Sequence, residues 1–344
     1  MDVTDSRLGF FASWVTALSE HLEHVEVICL NKGRYDLPSN VSVSSLGKET
    51  LPAGVRARGM YTLKLFSLIW HLRREYDAVF VHMNQEYVLL GGLLWKLWGK
   101  PVFMWRNHYD GDLGTWLAAH MSKKVFYTSS YSYTARFSHA VRMPVGVDIQ
   151  SAHATDVRMP HSILSLGRLD ESKRAELLLQ ALDTLASQGA TFRAIIAGGP
   201  TDPHSHYPEQ LKQLARTAGI QDRVNFPGPI PDTDKFRYFN SHEIFVNCSR
   251  SGMLDKTIFE AMVSGCLILV SSKDVAGMVD PMHIFRDGDA EDLAKKLSAL
   301  LAMPEEKKHR ATEALASVAD TQSLPLLAKR LIVEMSATRV RASS

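Results

Sequence analysis

Apolar and polar residues along this chain follow two different periods, and their alternation predicts strands separated by helices. Short apolar runs of strand length lie at His24–Leu30, Ala78–His82, Pro101–Trp105, Lys124–Thr128 and Ala140–Met143. Stretches with helical spacing lie between them, at Phe11–Leu22, Tyr61–Arg74, Tyr87–Trp98 and from Asp112 onward. Strands that alternate with helices in this way are typical of α/β domains with parallel sheets.

The second half of the chain continues the alternation, with predicted strands at Ser162–Leu166, Ile244–Asn247 and Leu267–Val270. A short helix is predicted to begin after Asp255, a good N-cap residue, and to end at Gly265. The loop that precedes this helix therefore lies at the carboxyl end of a strand. Open α/β sheets bind their ligands at that edge.

The length of 344 residues predicts two domains. The polar, unpatterned segment Ser151–His161 is typical of a linker, so we assign residues 1–150 to the first domain and 151–344 to the second. The net charge of +2 argues against a nucleic-acid binder that neutralises phosphates over a broad face. Three cysteines without metal-like spacing, and no apolar run that spans a bilayer, predict a reduced, cytoplasmic chain.

Two cations follow the predicted strand Ser162–Leu166 and suit an anionic ligand. Gly167 allows the backbone to pass close to a ligand, Arg168 can hold two oxygens of one phosphate, and Lys173 adds a point charge. Surface charges on a solvated loop explain such a pair equally well when it stands alone. A second motif at the end of another predicted strand favours the binding role.

That second motif is the start of the helix after Asp255. Backbone N–H groups near Lys256 and Thr257 can hold phosphate oxygens, and Glu260 lies one turn further along, within reach of a ribose or sugar hydroxyl. The alternative is a capped helix whose early glutamate only suits the helix dipole.

Four spaced motifs together resemble the nucleotide-sugar half of a glycosyltransferase of family 4, over about residues 160 to 300. They are Gly167-Arg168 with Lys173, Ala197-Gly198-Gly199-Pro200, Val224-Asn225-Phe226-Pro227-Gly228-Pro229-Ile230-Pro231, and Phe259-Glu260-Ala261-Met262 with Gly265. The resemblance implies an α/β GT-B fold, with two Rossmann-like domains facing across a cleft, and retention of anomeric configuration. It implies no cofactor other than the nucleotide-diphosphate sugar that serves as substrate.

The resemblance also implies roles for individual residues. Arg168 and Lys173 correspond to the residues that hold the donor diphosphate, and Glu260 to the one that holds the ribose. The wider set expected to line the donor site is Gly9, Gly167, Gly199, Pro229, Ile230, Ser251, Gly252, Met253, Leu254, Asp255, Lys256 and Thr257.

The chain departs from the family pattern at Gly252. Many members carry a glutamate there that contacts the donor sugar, whereas this chain has no carboxylate at that position. Ser251, Asp255 or backbone amides from Gly252 to Leu254 are the available substitutes, and we expect Asp255 to be occupied as a helix cap.

Acceptor-side residues are expected in two loops of the first domain. His108 stands where family members often place a histidine that faces the donor sugar, and Arg106 suits an anionic acceptor. His82, Asn84 and Glu86 follow the preceding strand. The nearest approach to an Asp-x-Asp metal motif, Asp110-Gly111-Asp112, lies in this domain, so we expect diphosphate binding without a metal ion.

The beginning of the chain lacks a feature that the resemblance implies. A GT-B domain opens with a buried strand before its glycine loop, and Leu8-Gly9-Phe10 resembles that loop without a strand ahead of it. We expect either a start of translation upstream of Met1 or a domain with one strand fewer.

Several alternatives stay open at this point. The apolar segment Leu89–Trp98 predicts either a helix buried against the sheet, which we favour, or peripheral contact with a membrane at its inner face. The proposed partners are a nucleotide sugar and a glycan or lipid-linked acceptor. A sugar-nucleotide epimerase, or a non-catalytic GT-B subunit that binds a nucleotide or a partner, are the other classes.

Overall fold

A computed structural model describes residues 1–5, 9–50, 54–149, 158–202 and 204–336. The chain divides into two compact units, one built from the chain up to Pro144 together with the helix that begins at Leu324, and one from Val145 to Ser323. We call them unit 1 and unit 2.

Unit 1 contains six described strands in two parallel sheets. A four-stranded sheet has the order β3-β4-β5-β6, and a separate pair joins β1 to β2. The strands are β1 Val25–Cys29, β2 Val41–Ser45, β3 Val79–His82, β4 Val102–Trp105, β5 Lys124–Tyr127 and β6 Ala140–Arg142. The pattern analysis did not predict β2, whose alternating serines lower its hydrophobicity.

Helices of unit 1 cover both faces of the four-stranded sheet. One face is packed by α2, α3 and α4, through buried residues that include Leu65, Val88, Trp95 and Ala118. The other face is packed by α1 and α11, through Trp14, Leu327 and their neighbours. The helices are α1 Phe11–Ser19, α2 Val55–His71, α3 Gln85–Leu97, α4 Leu113–Met121 and α11 Leu324–Ser336.

Unit 2 is built on a five-stranded parallel sheet of order β11-β10-β7-β8-β9. Every residue of β10 and β11 is buried, as expected for strands of a parallel sheet that helices cover on both faces. Its strands are β7 Ser162–Leu166, β8 Arg193–Ala197, β9 Val224–Asn225, β10 Ile244–Asn247 and β11 Leu267–Val270, and its helices are α5 Ala175–Ser187, α6 Tyr207–Thr217, α7 Lys235–Ser241, α8 Lys256–Val263, α9 Ala290–Leu301 and α10 Glu305–Asp320.

The division into units differs from the predicted domains at the end of the chain. Helix α11 groups with unit 1, whereas the sequence analysis assigned everything after residue 150 to the second domain. The reason is packing, because Leu324, Leu327 and Leu331 complete the apolar cluster around Trp14. Most of the predicted linker, residues 151–157, lies outside the described residues.

Candidate donor site

The loops that follow β7 and β8 pack against each other through their backbones. The Gly167 N–H donates to the Ala197 carbonyl at 3.0 Å, and the Leu169 N–H donates to the Gly199 carbonyl at 2.8 Å. A Cβ atom on Gly198 would lie 1.6 Å from the Gly167 carbonyl oxygen, and Gly198 has a φ of +147°. Only glycine is compatible with both the close approach and this backbone conformation.

The loop after β9 joins the same junction. The Gly198 N–H donates to the Gly228 carbonyl at 2.8 Å. A Cβ atom on Gly199 would lie 2.9 Å from Cγ of Pro229, whereas a Cβ on Gly167 would meet no atom within 4 Å. Three predicted motifs therefore meet at one sheet edge, with open space next to Gly167.

Lys173 reaches from this junction to the start of α8. Its ammonium group forms an ion pair with Asp255. The same carboxylate oxygen accepts hydrogen bonds from the Asn247 side chain at 3.0 Å and the Ser249 hydroxyl at 3.3 Å. Asp255 occupies the N-cap position of α8, but its side chain makes no capping hydrogen bond. The predicted capping role is wrong, because these side chains hold the carboxylate.

Arg168 belongs to the same electrostatic cluster. Its guanidinium lies 3.5 Å from the carboxylate of Asp170, and its side chain is 39% exposed. Burial favours the protonated form of Asp255, but Lys173, Asn247 and Arg168 together lower the pKa of that carboxyl below its usual value. Lys173 therefore pairs with Asp255 directly, whereas Arg168 pairs with Asp170 and acts on Asp255 only through its charge.

Glu260 lies at the centre of a second cluster. The side chain is 2% exposed, and its Oε1 atom lies 2.8 Å from Lys235 Nζ and 3.2 Å from Lys256 Nζ. Lys235 also contacts Asp232 at 2.6 Å. Burial raises the pKa of Glu260, but the two ammonium groups outweigh it and hold the pKa below 4.5. Glu260 is therefore an ionised carboxylate held by two lysines.

Each of three cations at this edge has a carboxylate beside it. Arg168 faces Asp170, Lys173 faces Asp255, and Lys256 faces Glu260. These three cations are therefore already paired with carboxylates of the same unit. Thr257, in the first turn of α8, has a buried hydroxyl oxygen that makes no hydrogen bond to any residue in the described part of the chain.

The loop between β10 and α8 uses several of its polar groups internally. The Gly252 N–H donates to Asp274 at 2.8 Å, and the Ser251 hydroxyl accepts the Lys273 N–H at 2.8 Å. Leu254 is buried in the core, whereas Met253 is half-buried. Among the predicted substitutes for the absent glutamate, the Gly252 N–H is therefore already engaged, since Asp274 accepts its hydrogen bond.

Arg174 positions this loop and was not predicted from the sequence. Its guanidinium donates to the Cys248 carbonyl at 2.8 and 2.6 Å, donates to the Ser271 hydroxyl at 3.2 Å, and pairs with Asp287. Its φ of +50° turns the chain, so that Arg174 is buried while the preceding Lys173 contacts Asp255. The signal in the sequence was the adjacent pair of cations, although which of them is buried depends on that turn.

In unit 1, the predicted residues of the loop after β4 are held by local contacts. The Asp110 N–H donates to Nδ1 of His108 at 3.0 Å, and the His108 ring stacks on Tyr109 with centroids 4.4 Å apart. Because Nδ1 accepts this bond, the neutral ring carries its proton on Nε2, from which it can donate. Arg106 donates to the Asp110 carbonyl at 3.3 Å, and its buried Nε makes no hydrogen bond within the described residues.

The other predicted residues of unit 1 fall into two groups. The His82 ring packs beside Phe11 and Trp14, at centroid distances of 4.8 and 5.3 Å, and burial lowers its pKa to about 4. His82 is thus a neutral, half-buried residue at the end of β3 that packs among aromatic rings, rather than part of an open loop. Asn84 and Glu86 are exposed at the start of α3, and Gly9 is buried in a turn, where its N–H donates to the Asp5 carbonyl at 2.9 Å.

Asp112, Cys248 and Cys266 have side chains that could bind a metal ion or act as a thiol nucleophile. Asp112, from the nearest approach to a metal motif, caps α4, where its Oδ1 accepts the Thr115 N–H at 2.7 Å and the Gln85 amide at 3.1 Å. Burial raises the thiol pKa of Cys248 to about 12 and that of Cys266 to about 11, so neither is a thiolate at neutral pH.

Comparison with known families identifies the segment that carries these motifs. Residues 160–303 match a family model described as glycosyl transferases group 1. It contains Arg168, Lys173 and Glu260. The predicted glycosyltransferase resemblance is therefore confirmed at the level of the group.

Curated relatives match over the same part of the chain. The D-inositol 3-phosphate glycosyltransferase of Acidothermus cellulolyticus is 27% identical over 132 residues, which are 37% of this chain and 28% of that protein. The lipopolysaccharide core biosynthesis mannosyltransferase LpcC of Rhizobium leguminosarum is 26% identical over 157 residues, 44% of each chain. The mannosylfructose-phosphate synthase of Agrobacterium fabrum is 31% identical over 112 residues, 32% of this chain and 25% of that protein. The chain thus spans less than half the length of these curated relatives.

Solved structures with the same fold cover nearly the whole chain. The sucrose-phosphate synthase of Thermosynechococcus elongatus superposes with a TM-score of 0.79 at 14% identity, over 97% of this chain and 93% of its own. Anabaena HepE in complex with UDP and glucose gives 0.75 at 15% identity, over 98% of each chain. At this level of identity the likeness shows the fold alone, and it confirms the predicted α/β GT-B class.

Proposed function

We propose that this protein is a retaining glycosyltransferase, which transfers a sugar from a nucleoside-diphosphate donor to a glycan, lipid-linked or small-molecule acceptor. We place the reaction in the cytoplasm, in the synthesis of cell-surface polysaccharide or glycolipid. The observation that carries the proposal is the ion pair by which Lys173, in the loop that follows Gly167, reaches Asp255 at the start of α8, while Arg168 lies in the same loop beside Asp170.

The donor diphosphate is proposed to lie against the backbone at Gly167. A Cβ at Gly167 would meet no atom within 4 Å, and the backbone conformation does not require glycine. We propose that the position has no side chain because the diphosphate occupies this space. The Thr257 hydroxyl, which has no hydrogen-bond partner among the residues that the structure describes, is proposed as a further donor in the first turn of α8. Arg168 and Lys173 then stabilise the negative charge that grows on the departing diphosphate, without a metal ion.

Retention is proposed to follow from a reaction on one face of the sugar. The bond from the anomeric carbon to the diphosphate oxygen breaks, and the acceptor oxygen forms its bond on the same face. The acceptor hydroxyl proton passes to the departing diphosphate oxygen, so that no protein nucleophile is required. His108 is the proposed contact to a hydroxyl of the transferred sugar, through its Nε2–H.

Glu260 is proposed to hold the donor ribose, as an ionised acceptor of hydroxyl hydrogen bonds. Lys235 and Lys256 keep the carboxylate charged in its buried position. We therefore propose Lys235 as a further residue on which donor binding depends, a positioning residue that acts through its ion pair with Glu260.

UDP-glucose is the first donor to test, because HepE has been solved in complex with UDP-glucose. The relatives are named for D-inositol 3-phosphate, for lipopolysaccharide core biosynthesis and for mannosylfructose-phosphate, so their names favour no single acceptor class.

Proton NMR of a reaction with UDP-glucose and a panel of these acceptor classes tests the proposal. We expect UDP to be released in step with a new glycoside that has the anomeric configuration of the donor. A first-formed product of opposite configuration would refute retention. Tight binding of UDP, with no release of UDP from any sugar donor across a panel of bases, would show a non-catalytic binding subunit instead.

A further inference from the structure

Three helices of unit 1 carry apolar side chains on the side that faces away from the sheet. These residues recur at helical spacing on each helix, so they form a stripe along it. They are Met60, Leu63 and Trp70 on α2, Leu90, Leu93 and Leu97 on α3, and Leu113, Trp116 and Leu117 on α4. We call this surface the α2–α4 face. It holds nine of the fifteen exposed large hydrophobic side chains in the described part of the chain.

These stripes are additional to the sides that form the core. On α3, Val88 and Trp95 are 0% and 4% exposed against the sheet, whereas Leu93 and Leu97 are 67% and 80% exposed. The prediction that Leu89–Trp98 is buried is therefore correct for one side of the helix only. A helix of a globular domain usually carries polar residues on its outer side, so apolar residues there indicate a contact.

The three stripes form one continuous surface because the helices lie side by side. Trp70 at the end of α2 contacts Trp98 after α3, with ring centroids 5.8 Å apart. Gly92 of α3 packs against Met121 of α4, and a Cβ at Gly92 would lie 2.5 Å from its methyl carbon. The patch is thus a layer of three packed helices, rather than scattered residues.

The charges around the α2–α4 face have one dominant sign. Exposed cations flank the apolar residues, whereas Glu86 is the one carboxylate within the three helices. Within the helices the exposed cations are Arg56, Arg58, Lys64 and Lys96, and beyond the end of α2 the exposed residues Arg74, Glu75 and Asp77 follow. Arg73 stacks on Trp70, 4.5 Å from the ring centroid. Tryptophan with arginine and lysine around an apolar surface suits the boundary between lipid headgroups and acyl chains.

We propose that the α2–α4 face docks on an anionic lipid bilayer, with its leucines in the acyl boundary and its cations among the headgroups. The helices lie along the surface, and no helix in the described ranges is long and apolar enough to cross a membrane. This proposal goes beyond the transferase activity and does not depend on it.

Intrinsic tryptophan fluorescence gives a direct readout, because all six tryptophans lie in unit 1. Trp14, Trp95 and Trp105 are buried, whereas Trp70 and Trp116 are 53% and 43% exposed on the α2–α4 face. Vesicles of equal parts phosphatidylglycerol and phosphatidylcholine should shift the emission to shorter wavelength and co-sediment the protein. Acyl chains brominated near the headgroup should quench it. Pure phosphatidylcholine vesicles should bind more weakly, and salt should release the protein from the mixed ones.

Charge and hydrophobic contributions are separated by two variants. Leu93→Glu with Leu97→Glu changes two highly exposed side chains and should lower partitioning at least about tenfold. Lys64→Glu with Lys96→Glu should lower it by about 25-fold or more, since each cation near an anionic surface contributes about fivefold. The matched control is Leu214→Glu, on α6 of unit 2, where the leucine is 44% exposed. It should bind vesicles as the wild type does.

Three results would overturn the proposal. The first is absence of wild-type binding to the mixed vesicles, and the second is equal binding by the wild type and the Leu93→Glu, Leu97→Glu variant. The third is a wild-type dimer that these substitutions dissociate, in a protein that does not bind lipid, which would assign the face to a second copy of the chain. Since vesicle binding needs neither donor nor acceptor, none of these results bears on the transferase activity.

Discussion

The ion pair between Lys173 and Asp255 allows the donor site to be tested by a double-mutant cycle. Lys173→Ala removes the proposed diphosphate contact, but it also leaves the Asp255 carboxylate, 20% exposed, without its ammonium partner. Asp255→Asn removes the carboxylate charge and keeps a side chain that can stay near Asn247 and Ser249. The double variant separates the loss of the contact between Lys173 and the diphosphate from the loss of charge neutralisation at Asp255.

The magnitudes differ enough for the two effects to be told apart. Loss of a charged hydrogen bond to phosphate costs about 1.5–3 kcal/mol, or about 10- to 150-fold in affinity. Repulsion between the unpaired Asp255 carboxylate and the diphosphate adds on the order of 1–3 kcal/mol after screening. We therefore expect Lys173→Ala to bind UDP about 70- to 25,000-fold more weakly than the wild type. The double variant should recover the repulsive part and stay about 10- to 150-fold weaker.

Isothermal titration calorimetry measures the affinity for UDP of the wild type, the two single variants and the double variant. Asp255→Asn alone should bind UDP more tightly than the wild type, because Lys173 is then not shared with a carboxylate. Lys295→Ala, an exposed lysine on α9, is the matched control and should leave affinity unchanged. Thermal unfolding of each variant checks that the fold is retained. Wild-type affinity in the double variant would show that Lys173 only neutralises Asp255, and the diphosphate assignment would be refuted.

Three further predictions concern single positions. Gly167→Ala should leave the free energy of unfolding within about 0.5 kcal/mol of the wild-type value but weaken UDP binding. Gly198→Ala should lower the free energy of unfolding by on the order of 3 kcal/mol. Equal effects of the two substitutions on stability would contradict the packing described. Glu260→Gln should be less stable than the wild type at neutral pH by about 3 kcal/mol. Because the folded pKa of Glu260 lies below 4.5, its contribution is present above that pH and is lost as the pH falls through the folded pKa, so denaturant curves of the two proteins should converge on acidification. His108→Ala should chiefly lower kcat with UDP-glucose as donor; wild-type kcat would remove His108 from the site.

The sequence was sufficient to predict most strands and the edge at which ligands bind. The predicted bounds Ser162–Leu166, Ile244–Asn247 and Leu267–Val270 match the observed strands, because buried parallel strands are continuous apolar runs between turn residues. The loops at Gly167 and before Asp255 follow β7 and β10, so their position at one edge was predictable. The loops after Ala197 and Asn225 follow β8 and β9, which the pattern did not predict.

The ion pairs of the site were not predictable from local patterns. Lys235 contacts Glu260 across 25 positions, and the Gly252 N–H meets Asp274 across 22. Such partners are brought together by the sheet order, in which β10 lies between β7 and β11. The motif spacing identifies Glu260 as a carboxylate that could bind a ribose hydroxyl. Only the fold shows that Lys235 and Lys256 already contact it.

The backbone contact between Gly167 and Gly198 limits where a new donor preference can arise in evolution or by engineering. A side chain at Gly198 displaces the neighbouring loop, so these two loops offer no room for independent variation. The segment from Ser249 to Leu254 is different, since side chains and turns hold it. A library of variants aimed at other nucleotide sugars should therefore change residues in that segment and leave Gly167 and Gly198 unchanged.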